Sequence, residues 1–471
     1  MNQKLDLENL LGSHGSNLAA TMRKGLQWLD DRSEPQLLRQ VGQRVSDLPD
    51  FIPVTKHALQ NSFGGNQTQA PDDLLVGRGL FYLTEQRRLC LDCTSGHYQM
   101  LWGYNHPDLC AAIAGAMQSG VVWDNHSNIP QAPAKQLAHQ LVAVANSPDE
   151  PDPLDTVLLG VCTGSVACAA ALKIQLKVYQ RDRSSHGAPL IVVLDGNYHG
   201  TDMVPQFMRG LWPELVRHFE VIVLQPNDYE GLEQAFHRHG SRIAGFWAEP
   251  IMMNREAIAL EADYLRQARH WCTETGALLC IDEIQTGFWL PEVFEFRALG
   301  IQPDLVVTGK GMTAGFHSLS AVLMKNRHDL LEQYDAISTN GLAALPSLVA
   351  LASMELIRQN ASSIRQIGSR IGRSFDALVQ EFPDQLVSAQ GRNYLSGLKF
   401  RSIDCALAFH RQALQAGLWC RVHAYHAGHS TLLTKLGLLA NEVIVDYLVD
   451  QFRQLLKQTD ASKTSHLKQA V

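Results

Sequence analysis

Leu278–Lys310 opens Leu-Leu-Cys-Ile-Asp-Glu-Ile-Gln-Thr-Gly-Phe and closes Leu-Val-Val-Thr-Gly-Lys. The opening reads as a buried strand that ends in a carboxylate, Asp282, at the head of Asp282-Glu283-Ile284-Gln285-Thr286-Gly287. A lone lysine follows 28 residues later at Gly309-Lys310-Gly311. A carboxylate at a strand end can pair with a protonated ring nitrogen, and a lysine can form a Schiff base with an aldehyde. Taken singly, each half has a plainer meaning. Asp282 could cap a turn, and Lys310 could be a solvated charge, because lysine is rarely buried. Together they point to pyridoxal phosphate (PLP).

Outward from this stretch, apolar β-branched runs alternate with helical ones. Thr156–Val161, Leu190–Leu194, Val221–Leu224, Ile243–Ala248, Ala277–Ile281 and Leu305–Thr308 read as strands. Val166–Tyr179 and Tyr229–His237 read as helices between them. Continuous apolar strands alternating with helices predict an α/β fold with a mostly parallel sheet covered on both faces. Ligands in such sheets gather beyond the carboxyl ends of the strands. Asp195, Glu249, Asp282 and Lys310 each follow such a strand, which predicts one shared site. Leu74–Asp92 alternates in short runs, as a small sheet does; residues 341–380 read as helix, and 386–456 as further α/β structure. The polar tail Lys457–Val471 is expected to fray.

Composition narrows the class. The chain has 471 residues, is 45% hydrophobic and carries a net charge of −7, so it can build a large core and offers no basic block for nucleic acid. Nine cysteines scattered through apolar segments predict reduced thiols and a cytoplasmic protein. Cys90-Leu91-Asp92-Cys93 is a lone CxxC without a second pair, a weak metal signal. No apolar run is long enough for a membrane span, and Met1–Asp6 lacks a signal-peptide core. His423, His426 and His429 are spaced as on one helix face, but no carboxylate accompanies them, so they are read as surface or pocket-lining residues and no metal is expected.

The ordered motifs resemble those of the class III (omega-type) aminotransferases, fold type I PLP enzymes. The resemblance rests on Asp282-Glu283-Ile284-Gln285-Thr286-Gly287-Phe288, Pro303-Asp304 and Lys310. Further pieces follow the family's order: Gly103-Tyr104-Asn105-His106-Pro107, Thr163-Gly164-Ser165, Tyr198-His199-Gly200, Glu249-Pro250, and Thr339 placed 16 residues before Glu355. Together they span about residues 76–456. The resemblance implies a large domain with a mostly parallel seven-stranded sheet and a smaller α/β domain, in a homodimer with shared active sites. The layout expected from it is a helical extension at 1–75, part of the small domain at 76–125, the PLP-binding domain at 126–360 and the rest of the small domain at 361–471. The extension lies outside the resemblance; it reads as an element packing on the dimer or as a partner-docking arm.

Roles follow residue by residue. Lys310 would form the Schiff base and move the proton, and Asp282 would hold the pyridine nitrogen. Gly164 and Ser165, at a helix start, would cradle the phosphate; as a bare motif they would be an N-cap. Ile284 and Tyr198 would cover the two ring faces, with His199 beside Tyr198. Gln285 would sit near the phenolic oxygen. Glu249 belongs to the site with an open role, and Thr339 would reach the neighbouring subunit's phosphate.

The departures are equally specific. The phosphate turn continues Val166-Ala167-Cys168-Ala169, Thr201 follows Tyr198-His199-Gly200, Asn340-Gly341-Leu342-Ala343-Ala344 follows Thr339, and Trp289-Leu290 follows Phe288. Many relatives clamp a substrate carboxylate with an arginine near the C-terminus. Leu433 falls nearest that position, with Lys435 as a poorer substitute. His97, Tyr98 and Trp289 are the expected substrate-facing residues, in a pocket of aromatic faces and neutral hydrogen bonds suited to an amine or a less common amino substrate. The resemblance predicts transfer of an amino group from an amine or amino-acid small-molecule donor to a carbonyl acceptor. Racemase or epimerase, decarboxylase and aminomutase chemistries of the same family stand as alternatives, as does a non-catalytic binding protein.

Overall fold

The computed structural model describes residues 6–12, 14–52, 73–123, 129–210, 218–423 and 428–468, with side chains as far as Gln458. The Gly/Asn/Gln stretch at 62–69, His426 and residues 469–471 lie outside them. Three helices, Leu7–Leu10, Gly15–Asp30 and Glu34–Leu38, precede the first strand. A Cβ on Gly25 would stand 2.9 Å from Val76 Cγ1, so the second helix lies close against the sheet that follows. Trp28 and Leu29 are buried in the same cluster as Val76 and Leu83. The extension thus packs on its own protomer.

That sheet contains β1 (Leu74–Arg78), β2 (Phe81–Thr84) and β3 (Leu89–Asp92). The chain then builds β4 (Thr156–Val161), β5 (Leu190–Leu194), β6 (Glu220–Leu224) and β7 (Ile243–Ala248), followed by the short pair β8 (Ile251–Met252) and β9 (Ile258–Ala259). Next come β10 (Leu278–Asp282), β11 (Leu305–Thr308) and β12 (Ser320–Met324). Strands β4–β7 and β10–β12 form a seven-stranded sheet in the order β4-β12-β11-β10-β7-β5-β6. Pairing is parallel except where β12 meets β11 and β4. All residues of β5, β7, β10, β11 and β12 are buried, as strands covered on both faces must be. β12 is a seventh strand absent from the runs recognised in the sequence.

Helices Ala344–Gln359 and Ala361–Glu381 lead into β13 (Leu386–Arg392), β14 (Leu395–Phe400), β15 (Leu418–Trp419), β16 (Arg421–Val422) and β17 (Thr431–Lys435). Four of these form a sheet in the order β13-β14-β17-β16, while β15 joins β3 in parallel. The N-terminal and C-terminal segments are therefore tied by one hydrogen-bonded sheet. The last helix runs Glu442–Lys468, so the backbone of the polar tail continues a helix where fraying was expected. Among the described residues no helix is long and apolar enough to cross a membrane.

Candidate active site

Parallel neighbours β7, β10 and β11 end side by side, and their carboxyl ends deliver Glu249, Asp282 and Lys310 to one place. Lys310 sits in the left-handed region at φ +34°, a conformation that costs a non-glycine residue about 1–3 kcal/mol. Its Nζ lies 4.9 Å from the ring centroid of Tyr98 and 5.9 Å from that of Tyr198. Burial draws the amine down to about 8, and the nearby Asp282 and Glu249 carboxylates pull in the opposite direction.

Asp282 is held from three sides. Its Oδ1 accepts from the Ile284 N–H at 2.9 Å, and its Oδ2 accepts from His199 Nδ1 at 2.7 Å and Cys168 Sγ at 3.6 Å. The ligand atoms of Cys168, His199 and Asp282 lie within 4.8 Å of one another. Two hydrogen bonds onto one carboxylate oxygen account for that closeness. Glu249 is buried, accepts from the Tyr198 N–H at 2.7 Å, and faces Gln285 Nε2 at 3.4 Å. Burial lifts its carboxyl to about 7, countered by His199.

A 20-residue helix, Gly164–Arg183, begins just past β4. Thr163 is its N-cap, and the first-turn N–H groups have no intrahelical acceptor. Ser165 Oγ accepts from the Thr201 N–H at 3.1 Å. Gly200, at φ +117°, makes this possible, because a Cβ there would stand 2.2 Å from Ser165 Oγ. A cavity of 160 Å³ opens between this helix start and Lys310, with Gln99, Thr163 and Ser320 in its wall. The site accommodates PLP on its own features. Gly164 has no Cβ where one would press on Ile284 Cδ1 at 2.8 Å. Gln285 Oε1 and His199 Nε2 are buried without a hydrogen-bond partner among the described residues.

Most residues singled out in the sequence meet here: Gly164, Ser165, Tyr198, His199, Glu249, Asp282, Ile284, Gln285, Lys310 and Tyr98. Three lie differently. Thr339 is exposed on the turn after Ser338, whose Oγ accepts from the Cys162 N–H at 3.1 Å beside the helix start. Trp289 is sealed in the core with its ring centroid 6.4 Å from that of Tyr394, and it does not line the Lys310 cavity. His97 sits beside Arg421, with Nδ1 2.6 Å from Nη1. Pro303-Asp304 is structural: Asp304 precedes β11, at the opposite end of the sheet from Lys310, and pairs with Lys325 at 2.7 Å and Arg269 at 2.5 Å.

Of the expected substrate-facing residues, Tyr98 stands beside Lys310, whereas Trp289 packs near Tyr394. Leu433 is buried in β17, directly across the ladder from Arg421. Lys435, two residues on, is fully buried with its Nζ 3.5 Å from the centroid of the Tyr98 ring. Burial, with Arg421 and Lys310 nearby, holds the Lys435 amine well below the usual lysine range. Of the C-terminal histidines, His423 and His429 are buried. His429 Nε2 lies 3.1 Å from Arg255 Nη1. Sequence reasoning missed Cys168 and Arg421. The signal for Cys168 was its place one helical turn after Gly164; Arg421 had none without the strand register.

Comparison with known proteins agrees with this geometry. The family model described as aminotransferase class-III matches residues 68–443. An acetylornithine aminotransferase of Prochlorococcus marinus is 28% identical over 71% of this chain and 79% of its own length. A glutamate-1-semialdehyde 2,1-aminomutase of Thermus thermophilus is 27% identical over 66% of this chain and 72% of its own. An ornithine aminotransferase from Toxoplasma gondii, whose structure reveals partial occupancy of PLP at the active site, superposes with a TM-score of 0.71 at 18% identity, covering 86% of this chain and 94% of that one. With the family model spanning most of its length, this chain belongs to the class-III aminotransferases.

Proposed function

We propose that this protein is a PLP-dependent aminotransferase that moves an amino group between a small-molecule donor and a carbonyl acceptor in a ping-pong cycle. The observation that carries the reading is that Asp282 and Lys310 follow from the ends of the parallel neighbours β10 and β11, while Lys310 and the Gly164 helix start face one cavity. Lys310 is the amine that would carry the cofactor, Gly164 and Ser165 would hold its phosphate, and Asp282 its ring nitrogen. Ile284 and Tyr198 would flank the ring, and Gln285 would offer its side chain to the ring's oxygen. When bound, the cofactor supplies an aldehyde that captures amines and a ring that accepts the electron pair left by a departing C–H proton.

The chain's own groups do the rest. An amine drawn to about 8 is partly neutral near physiological pH, so Lys310 Nζ can accept a proton and return it. His199 donates to Asp282 and holds that carboxylate in place. Glu249, poised near neutrality, can change charge as the reacting groups do. The exposed Thr339 supports a homodimer in which its hydroxyl reaches the neighbour's phosphate. Nine cysteines, none in a disulfide, support a reducing, cytoplasmic setting. The similarity to a protein named as an aminomutase supports a second reading, in which donor and acceptor are one molecule.

The test is the visible spectrum of the PLP-loaded protein beside Lys310→Ala, with a panel of amino donors. A lysine-bound PLP band absent from the variant, converted by donors with release of a keto product, is the expected result. A band that donors perturb without keto product would overturn aminotransfer. No band after PLP addition would overturn the cofactor itself.

A further inference from the structure

We propose that Cys168 is a positioning residue that joins the two ends of the cofactor's seat, fixing the Asp282 carboxylate from the same helix whose start would hold the phosphate. This rests on the PLP-dependent reading and deepens it. The helix Gly164–Arg183 sets Gly164, Cys168 and Gln175 along one face. That face lies along β10. A Cβ on Gly164 would press on Ile284 Cδ1 at 2.8 Å, Cys168 Sγ donates to Asp282 Oδ2 at 3.6 Å, and Gln175 Nε2 donates to the Leu278 carbonyl at 2.9 Å. The helix therefore meets β10 at its first residue, its last residue and the turn beyond it. Gln175 Oε1 also accepts from Trp247 Nε1 at 2.7 Å, which ties the helix to β7. Cys168 and Asp282 are both buried, so their contact is closed to water.

The acceptor sites of Asp282 define what the thiol does. An ionised carboxylate offers about four lone-pair positions. The Ile284 N–H takes one on Oδ1, while His199 Nδ1 and Cys168 Sγ take both on Oδ2. One position remains, on Oδ1, for a ring nitrogen. With Oδ2 filled, the carboxylate cannot rotate without losing two donors. Burial and the Asp282 charge push the Cys168 thiol well above the usual thiol range, so it stays protonated and remains a donor. An apolar residue in its place would leave a buried anion short of a hydrogen bond, which is unfavourable. Donors on a carboxylate also favour its charged form. A charged Asp282 keeps the shared proton on the ring nitrogen, and loss of a donor moves that proton toward the carboxylate. The departure Val166-Ala167-Cys168-Ala169 thus places a donor where the site uses one.

The experiment compares Cys168→Val, Cys168→Ala and Cys168→Ser with the wild type, all as the full chain. PLP is titrated into each, and the lysine-bound PLP band is then followed against pH. A ring with less positive charge lets the lysine–PLP linkage hold its proton to higher pH. Valine and alanine are each expected to raise the midpoint of the band by at least about half a pH unit and the Kd for PLP at least about fivefold. Serine, which keeps a donor, is expected to return both most of the way to wild type. A packing role predicts the opposite order, because valine conserves volume while serine puts a hydroxyl into an apolar core. Equal values in all four proteins, or a serine variant further from wild type than valine, overturns the proposal. Raman spectra of the PLP-free protein test the bond itself. The difference between wild type and Cys168→Val is expected to show an S–H stretch lowered by hydrogen bonding; a stretch at the unbonded frequency overturns the proposal. No PLP band in the wild type would sink the cofactor reading and this proposal together, whereas a wild-type band that no variant moves would sink the proposal alone.

Discussion

Asp304→Asn separates what the sequence motif holds together. Asp304 belongs to the same stretch as Asp282 and Lys310, yet it sits before β11 and is 3% exposed. Its Oδ1 takes Lys325 Nζ at 2.7 Å, and its Oδ2 takes Arg269 Nη1 at 2.5 Å and the Leu279 N–H at 2.9 Å. Breaking a buried ion pair by removing one partner costs about 3–5 kcal/mol. Two features lower the figure here. Lys325 keeps Asp152 at 2.7 Å, and the Arg269 side chain is 22% exposed. The asparagine also keeps an acceptor for the Leu279 N–H, so a loss of about 2–3 kcal/mol is expected. Arg269 and Lys325 hold the Asp304 carboxyl below the usual carboxylate range against its burial. A depressed folded-state value means the stabilisation is complete above the unfolded value near 3.8 and is lost as pH falls through the folded one. The gap between wild type and variant should therefore be full at pH 7 and close in acid. The assay is urea unfolding of the PLP-free protein by tryptophan fluorescence, with the PLP spectrum recorded in parallel. An unshifted urea midpoint would refute the energetics. A lost PLP band in a fully folded variant would refute the placement of Asp304 away from the site.

Three further outcomes follow from the site. Glu249 is buried with its carboxyl lifted to about 7, so the folded state binds the extra proton between roughly pH 4.5 and 7 and wild-type stability should fall across that window; Glu249→Gln should flatten the fall, read as urea midpoints at pH 5 and 8. Gly200→Ala forces a Cβ to 2.2 Å from Ser165 Oγ at φ +117°, which should cost about 1–3 kcal/mol and weaken PLP binding, measured by unfolding and PLP titration. Gly164→Ala meets only the flexible end of Ile284 at 2.8 Å, so stability should change by less than about 1 kcal/mol while the Kd for PLP rises at least about tenfold.

The fold was legible wherever hydrophobic burial acts through local pattern. Strands β4, β5, β7 and β11 are buried on one or both faces and bounded by turn residues, so their apolar runs mark them to within a residue. β12 was missed although it is equally apolar, because it follows Lys310 directly and runs antiparallel, outside the strand–helix alternation that revealed the others. The cofactor side of the site was legible for a related reason. Glu249, Asp282 and Lys310 each follow a parallel strand, and such a sheet brings its carboxyl ends together whatever the loops do.

The substrate side obeys no such rule, and there the motif pointed to the wrong feature. Trp289, seven residues past Asp282, reads as an aromatic wall, but a ring of that size beside Phe288 and Phe294 gains more from the core than from a polar cavity. Leu433 reads as a missing charge only while β17 is considered alone. Pairing with β16 places Arg421 directly opposite it, and the period of two places Lys435 on the same face. Basic residues thus stand across the strand from Leu433 and at its next same-face position instead of at Leu433 itself. That exchange spans 12 residues of chain with no local signature, so only register exposes it.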